Sequence, residues 1–179
     1  RKPSNQAPAV GETRQTIVNY SVTDQYNASN TSSLTLTVTG TNDAPVATAA
    51  SVVVMEGGHA SGRVLGGDAD RGDSLQYSLV SKAPVGLSFS SDGGWTFAAN
   101  QATLESLGAG ETRTFVVTYA ASDTAGASGT ATLTIVVTGT NDPPVALAAS
   151  SALLEDGAAA GQLIATDVDN GHSLTFSLD

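Results

Sequence analysis

Residues 40–47 read Gly-Thr-Asn-Asp-Ala-Pro-Val-Ala and residues 139–146 read Gly-Thr-Asn-Asp-Pro-Pro-Val-Ala, which sets Asp43 and Asp142 99 positions apart. The same offset carries Gly11-Glu12-Thr13-Arg14 onto Gly110-Glu111-Thr112-Arg113, Asp24 onto Asp123, Glu56 onto Glu155, and Asp68 with Asp70 onto Asp167 with Asp169. Correspondence without a gap over so many positions implies one unit copied in tandem. Solenoid repeats run about 20–50 residues, whereas a period of 99 has the size of a small domain. The expected organisation is the late part of one unit over 1–43, a complete unit over 44–142, and the early part of a third over 143–179. On this reading the chain is a piece of something longer, and function belongs at the joints between units. An apolar run near the roughly 18 residues of a membrane span is missing, as is a basic leader with an apolar core, so no membrane insertion is expected of this segment.

Hydrophobic periodicity sets the fold class. Residues 130–138 alternate, with Ala131, Leu133, Ile135 and Val137 on one face and Thr130, Thr132, Thr134 and Thr138 on the other, the pattern of a half-buried strand. Phe115, Val117, Tyr119 and Ala121 repeat it, and the first copy repeats both patterns with Val18, Tyr20 and Val22, then Leu34, Leu36 and Val38. Further strands are expected over 52–55, 63–66 and 75–80, with a hairpin joining 87–89 to 95–97 through Asp92-Gly93-Gly94. Residues 100–107 suggest a helical turn capped by Asn100. About seven short strands around Tyr77, Phe89, Trp95, Phe97, Phe115 and Tyr119 describe an all-β chain of tandem immunoglobulin-like, antiparallel β-sandwich units.

With 7 Lys plus Arg against 17 Asp plus Glu, the net charge of −10 leaves no basic patch for phosphates, so nucleic acid is not an expected partner. Cysteine is absent, which removes disulfides and thiolate metal sites and leaves a bound hard cation as a means of stiffening.

Carboxylates interrupt the strand pattern in loops. Asp68-Ala69-Asp70-Arg71-Gly72-Asp73 and Asp167-Val168-Asp169-Asn170-Gly171-His172 each place two carboxylates two residues apart, on the same side of an extended segment, ahead of a Gly that permits a bend. Two such charges about 4 Å apart repel by roughly 4 kcal/mol at an effective dielectric near 20, so a closed cluster needs a counter-ion. Six to eight oxygen ligands in irregular geometry suit calcium, whereas magnesium demands an octahedron and zinc prefers nitrogen or sulfur.

The order of Glu56, Asp68 with Asp70, residues 121–126 around Asp123, and Asn141-Asp142-Pro143-Pro144 resembles that of calcium-dependent cadherin repeats. The phrase Val-Thr-Gly-Thr-Asn-Asp-x-Pro-Val is similar to the end of bacterial cadherin-like or VCBS repeats of large surface adhesins and biofilm proteins. The resemblance covers the whole chain. It implies Ca2+ held between successive units, by Asn42, Asp43, Asp68, Asp70 and Asp123 at the earlier joint and by Glu56, Asn141, Asp142, Asp167 and Asp169 at the later one. The linkers are poorer in acid than those of cadherins, and an obvious Leu-Asp-Arg-Glu motif is missing, with Glu105 and Glu111 the nearest candidates. One or two ions per joint are therefore expected, with dissociation constants of about 0.1–1 mM. At tenfold excess over that constant, each site would add roughly 1.4 kcal/mol to the folded state. The implied function is a calcium-rigidified extender of a secreted, extracellular or bacterial cell-surface protein. The alternative is a module that captures matrix polysaccharide through its acidic face and ions, with Tyr26 or Trp95. Partners implied are neighbouring repeats of the same chain, matrix polysaccharide, or self-association in which the two incomplete end units complement each other between chains.

Other motifs carry less. Arg71-Gly72-Asp73 is an integrin-type triplet, but it lies inside the acidic loop and becomes Asn170-Gly171-His172 in the next copy. His59 and His172 fall at different places in the unit and form no zinc pair. The acid-labile Asp142-Pro143 bond lacks an activating site. A Ser-His-Asp set, paired catalytic carboxylates and a phosphate loop are not evident, so an enzyme is not expected.

Overall fold

The computed structural model describes residue 8, residues 10–70 and residues 72–178, and it is all-β, with no helix among the described residues. Thirteen strands follow in chain order: β1 (Thr13–Thr23), β2 (Ser29–Thr39), β3 (Val46–Thr48), β4 (Ala50–Met55), β5 (His59–Arg63), β6 (Leu65–Gly67), β7 (Gln76–Leu79), β8 (Leu87–Phe89), β9 (Gly94–Ala98), β10 (Thr112–Ser122), β11 (Ser128–Thr138), β12 (Val145–Ala146) and β13 (Ala165–Thr166).

Strands β3 to β11 build a sandwich. One layer has the order β4-β11-β10-β7, and the other is made of β5-β9-β8 with the pair β3-β6. All neighbours are antiparallel except β4 and β11, which run parallel from Ala50 opposite Leu133 to Met55 opposite Thr138. The expectation of a purely antiparallel sandwich is corrected here. Parallel pairing leaves no trace in alternation, because each strand still shows one face to the core.

Alternation does decide which side chains fill the gap between layers. Leu133, Ile135 and Val137 of β11, with Val117, Tyr119 and Ala121 of β10, are buried, and the β11 trio and Tyr119 share one core with Phe97 of β9, Val54 of β4 and Val64 between β5 and β6. Trp95 is buried against Gly62, where a Cβ would stand 2.7 Å from the indole ring, so only glycine lets the ring lie flat on β5. Tyr119 is 0% exposed and donates its hydroxyl proton to the carbonyls of Thr48 and Leu65, tying β10 to the opposite layer. Burial raises its pKa above 10.0.

Two expected elements differ. The strand foreseen over 63–66 is two strands, β5 and β6, broken at Val64, whose N–H bonds Gly93 O at 2.9 Å. Residues 101–106 form turns rather than a helix. Leu104 N and Glu105 N both bond Gln101 O, and the bond to Asn100 Oδ1 comes from the Gln101 side chain. Burial of Leu104, at 1% exposure, fixes this loop without helical continuation.

The hairpin β1–β2 copies β10–β11: Thr13 pairs with Thr39 as Thr112 pairs with Thr138, through eleven rungs in each. Its expected inward residues are nevertheless exposed, Val18 at 46% and Leu36 at 48% among them, because no second layer covers them among the described residues. Among the described residues, the segment after Asp142 holds only the two-residue strands β12 and β13.

Candidate metal centre

Two acidic loops curl by the same local device. After β6, Asp70 N–H donates to Asp68 Oδ1 at 2.8 Å, and after β13, Asp169 N–H donates to Asp167 Oδ1 at 3.0 Å. This Asx turn is the ordinary preference of aspartate for bonding the backbone two residues on. Gly72 at φ 98° and Gly171 at φ 77° then supply the left-handed bend that closes each loop.

Each preceding linker is stitched to its loop. Asp43 N–H donates to Asp70 Oδ2 at 2.8 Å, and Asp142 N–H donates to Asp169 Oδ2 at 2.9 Å. The asparagine ahead of each bonds the next carbonyl, Asn42 Nδ2 to Asp43 O at 3.1 Å and Asn141 Nδ2 to Asp142 O at 3.0 Å.

At the earlier linker, ligand atoms of Asp68, Asp70 and Asp73 lie within 4.8 Å of one another. Asn42 Nδ2 also donates to Asp123 Oδ2 at 2.8 Å, and Ala127 N–H donates to Asp123 Oδ1 at 2.8 Å. Chiefly through the Asn42 amide, Asp123 is held below its ordinary value of 3.8. At the later linker, Glu56, Asp142 and Asp169 form one group within 4.8 Å, and Asp167, Asp169 and His172 form a second that shares Asp169. Glu56 sits just beyond β4 and accepts both the N–H and the hydroxyl of Thr140 at Oε1, at 2.5 and 2.7 Å. Asn170 N–H reaches Ser106 O at 3.1 Å, and Glu105 of the same turn lines a cleft with Asp142 and Asp167.

A cation fits these groups on one observation. Among the described residues, the buried side-chain oxygens without a partner are Asn42 Oδ1, Glu56 Oε2, Asp68 Oδ2, Asp70 Oδ1 and Asp169 Oδ1. Glu56, Asp70 and Asp169 are 8%, 4% and 5% exposed. Two full charges at 4.8 Å repel by about 3.5 kcal/mol at an effective dielectric near 20, and a buried carboxylate oxygen facing nothing adds a desolvation cost. Oxygen donors so arranged are those of a hard divalent ion.

Of the sequence-predicted residues, Asp68 with Asp70 converge, as do Glu56, Asp142 and Asp169, with Asp167 joined through Asp169. Asp123 meets Asn42 instead of the carboxylate trio. Asp43 and Asn141 have exposed side chains, and Asp43 contributes its backbone N–H. Sequence reasoning passed over Asp73, His172 and Thr140. Their shared signal was position, since Asp73 and His172 occupy the same place in the two loops. In the Arg71-Gly72-Asp73 triplet Arg71 lies outside the described residues, while Asp73 accepts the Thr124 hydroxyl at 3.2 Å.

The two-layer sandwich with a parallel β4–β11 edge and acidic linkers defines an immunoglobulin-like, cadherin-like module. The family model described as "Bacterial Ig domain" matches residues 42–136, and the chain belongs to that family. A search of curated proteins finds no match. Among solved structures, PcdhgB3 EC1-4 is similar at TM-score 0.57 and 17% identity, over 88% of this chain and 41% of that one. Human CDH23 EC21-23 is similar at TM-score 0.54 and 21% identity, over 88% and 55%. The protocadherin gammaB7 EC3-6 cis-dimer structure is similar at TM-score 0.51 and 23% identity, over 88% and 44%. This chain therefore spans between two fifths and three fifths of the length of these neighbours.

Proposed function

We propose that this chain is a calcium-rigidified extender segment of a bacterial cell-surface adhesin or biofilm protein, with ions held where successive units meet. The units are 44–142, complete, flanked by the late portion of a preceding unit and the early portion of a following one. The observation that carries the reading is that Glu56 and Asp169 bring ligand atoms within 4.8 Å of one another while each keeps one buried oxygen without a partner; in this reading they belong to successive units.

In this reading Glu56, Asp142, Asp167 and Asp169 hold one joint, with Glu105 at its edge, and Asp68, Asp70, Asp73 and the Asn42 carbonyl oxygen hold the other. The bound ion supplies positive charge that offsets carboxylate repulsion. The chain supplies the frame: Thr140 fixes Glu56, the Asp142 N–H fixes Asp169, and the Asx turns fix Asp68 and Asp167. Acidic oxygens left without a counter-charge separate, so linkers are looser at low calcium and straighter at high calcium. Extracellular placement, where calcium is abundant, suits the affinities of about 0.1–1 mM expected of such sites. The work is structural, not catalytic.

The polysaccharide reading is less favoured. Trp95, one of its two aromatic platforms, is 7% exposed and packed on Gly62, whereas Tyr26 is 81% exposed on the β1–β2 turn.

Calcium titration by calorimetry and thermal melting, native against Asp167→Ala with Asp169→Ala, tests the proposal. Stoichiometry and melting temperature should both fall in the double variant, with the stabilisation by calcium reduced by about 1.4 kcal/mol per lost site at tenfold excess. Equal heats and equal melting in the two proteins would sink it.

A further inference from the structure

Between the two acidic loops one carboxylate position changes, where His172 stands in place of Asp73. The loop around that position is otherwise the same, with its Asx turn, its left-handed glycine and its bond from the linker backbone. His172 Nδ1 lies 3.5 Å from Asp169 Oδ2, and a ring nitrogen or carboxylate oxygen from each of Asp167, Asp169 and His172 falls within 4.8 Å of the others. On its far side the ring covers the backbone of the central sandwich, since a Cβ at Gly108 would stand 3.4 Å from Nε2. The imidazole, with its side chain 34% exposed, thus reaches from the later segment to the loop ahead of β10.

We propose that Asp167, Asp169 and His172 form a site for a borderline divalent ion such as zinc, beside the all-oxygen group of Glu56, Asp142 and Asp169. The inference rests on the reading of the later linker as a cation joint and assigns that joint a second chemistry. An imidazole is a poor ligand for calcium and a good one for zinc, copper or nickel, and three protein ligands leave a fourth, tetrahedral position for water. The cluster does not stand on acidity alone. Asp169 has a fully buried side chain with Oδ1 unpartnered, and Glu56 Oε2 is likewise buried and unpartnered across from it. Asp169 Oδ2 accepts from Asp142 N–H and also faces His172 Nδ1, while Oδ1 is left without a partner. At the earlier linker, Asp68, Asp70 and Asp73 offer oxygen alone, and the two linkers of one chain would then answer to different ions.

The test is a Zn2+ titration in calcium-free buffer, by calorimetry and by imidazole NMR, of native chain, His172→Ala, His172→Asp and the control His59→Ala, which changes the exposed histidine of β5. Zinc should shift the His172 ring resonances in native protein and in His59→Ala. Its affinity should drop by about 10- to 100-fold or more in both His172 variants, as losing a direct ligand costs at least what losing its supporting partner does. His172→Asp, which copies the tolerated residue of the earlier loop, should keep calcium binding. Equal zinc affinity in native and His172 variants would overturn the inference, and with calcium binding intact the extender reading would survive it. Zinc bound through His172 in a chain that takes up no calcium would support the mixed site and overturn the extender reading instead.

Discussion

Leu34 and Leu133 occupy the same rung of two hairpins with the same register, opposite Val18 and Val117, yet Leu133 is 0% exposed and Leu34 50%. Tyr20 and Tyr119 repeat the contrast at 53% and 0%. Turn geometry is copied as well: Asp24 N–H bonds Ala28 O and Asp123 N–H bonds Ala127 O, with Asn27 at φ 67° where Gly126 has φ 94°. A two-stranded ladder is a local object, set by alternation and by a turn that tolerates a left-handed residue. Burial is not local. It comes to β10–β11 from β4 and β7 at its sides and from the layer of β5, β8 and β9 across the gap.

That contrast breaks most visibly in the core. Leu133→Ala should destabilise by about 2–5 kcal/mol in urea melts monitored by Trp95 fluorescence, while Leu34→Ala should stay within about 0.5 kcal/mol. Comparable losses at both positions would mean that β1–β2 has a covering layer. A step smaller, Tyr119→Phe removes the donor to Thr48 O and Leu65 O and should cost about 1–3 kcal/mol. Tyr20→Phe should leave the same melt unchanged.

The smallest effect concerns the turns and runs with pH. Asp123 has its pKa lowered below 3.8, chiefly by the Asn42 amide, so its ionised form favours the folded state. Its contribution is complete above the unfolded value near 3.8 and fades as pH falls through the lower folded value. Melting in chelator should therefore show Asp123→Asn below native at neutral pH, with the gap narrowing from about pH 4 downward. Asp24→Asn, which changes a turn lacking the linker amide, serves as the control, and a gap independent of pH would sink the assignment.

Alternation made the strands β1, β2, β10 and β11 readable, down to the inward set Phe115, Val117, Tyr119 and Ala121. The β5 strand was harder to see, since His-Ala-Ser-Gly-Arg has neither alternation nor β-branched residues, and it pairs only because Gly62 makes room for Trp95. Parallel pairing of β4 with β11 depends on which strand ends up at the sheet edge, which no local pattern encodes. For the candidate metal centre, spacing pointed to the paired aspartates, and the resemblance to cadherin repeats pointed to Glu56. What it left out was side-chain direction. Asp43 has an exposed side chain while its N–H does the holding, and Asp73 and His172 bring ligand atoms to the aspartates of their own loops from a loop position at which the two residues differ.

The parallel edge has one more consequence. The chain comes in through Pro45 toward β4 and departs from β11 at Gly139, so the first long strand and the last are direct neighbours over six rungs. When the two ends of this sandwich are drawn apart, parallel neighbours slide along each other, and every rung from Ala50–Leu133 to Met55–Thr138 bears load together. An antiparallel edge would unzip rung by rung. This sandwich pulled from its two ends is loaded in shear, so its resistance to extension is set by the whole six-rung edge and not by its weakest single bond.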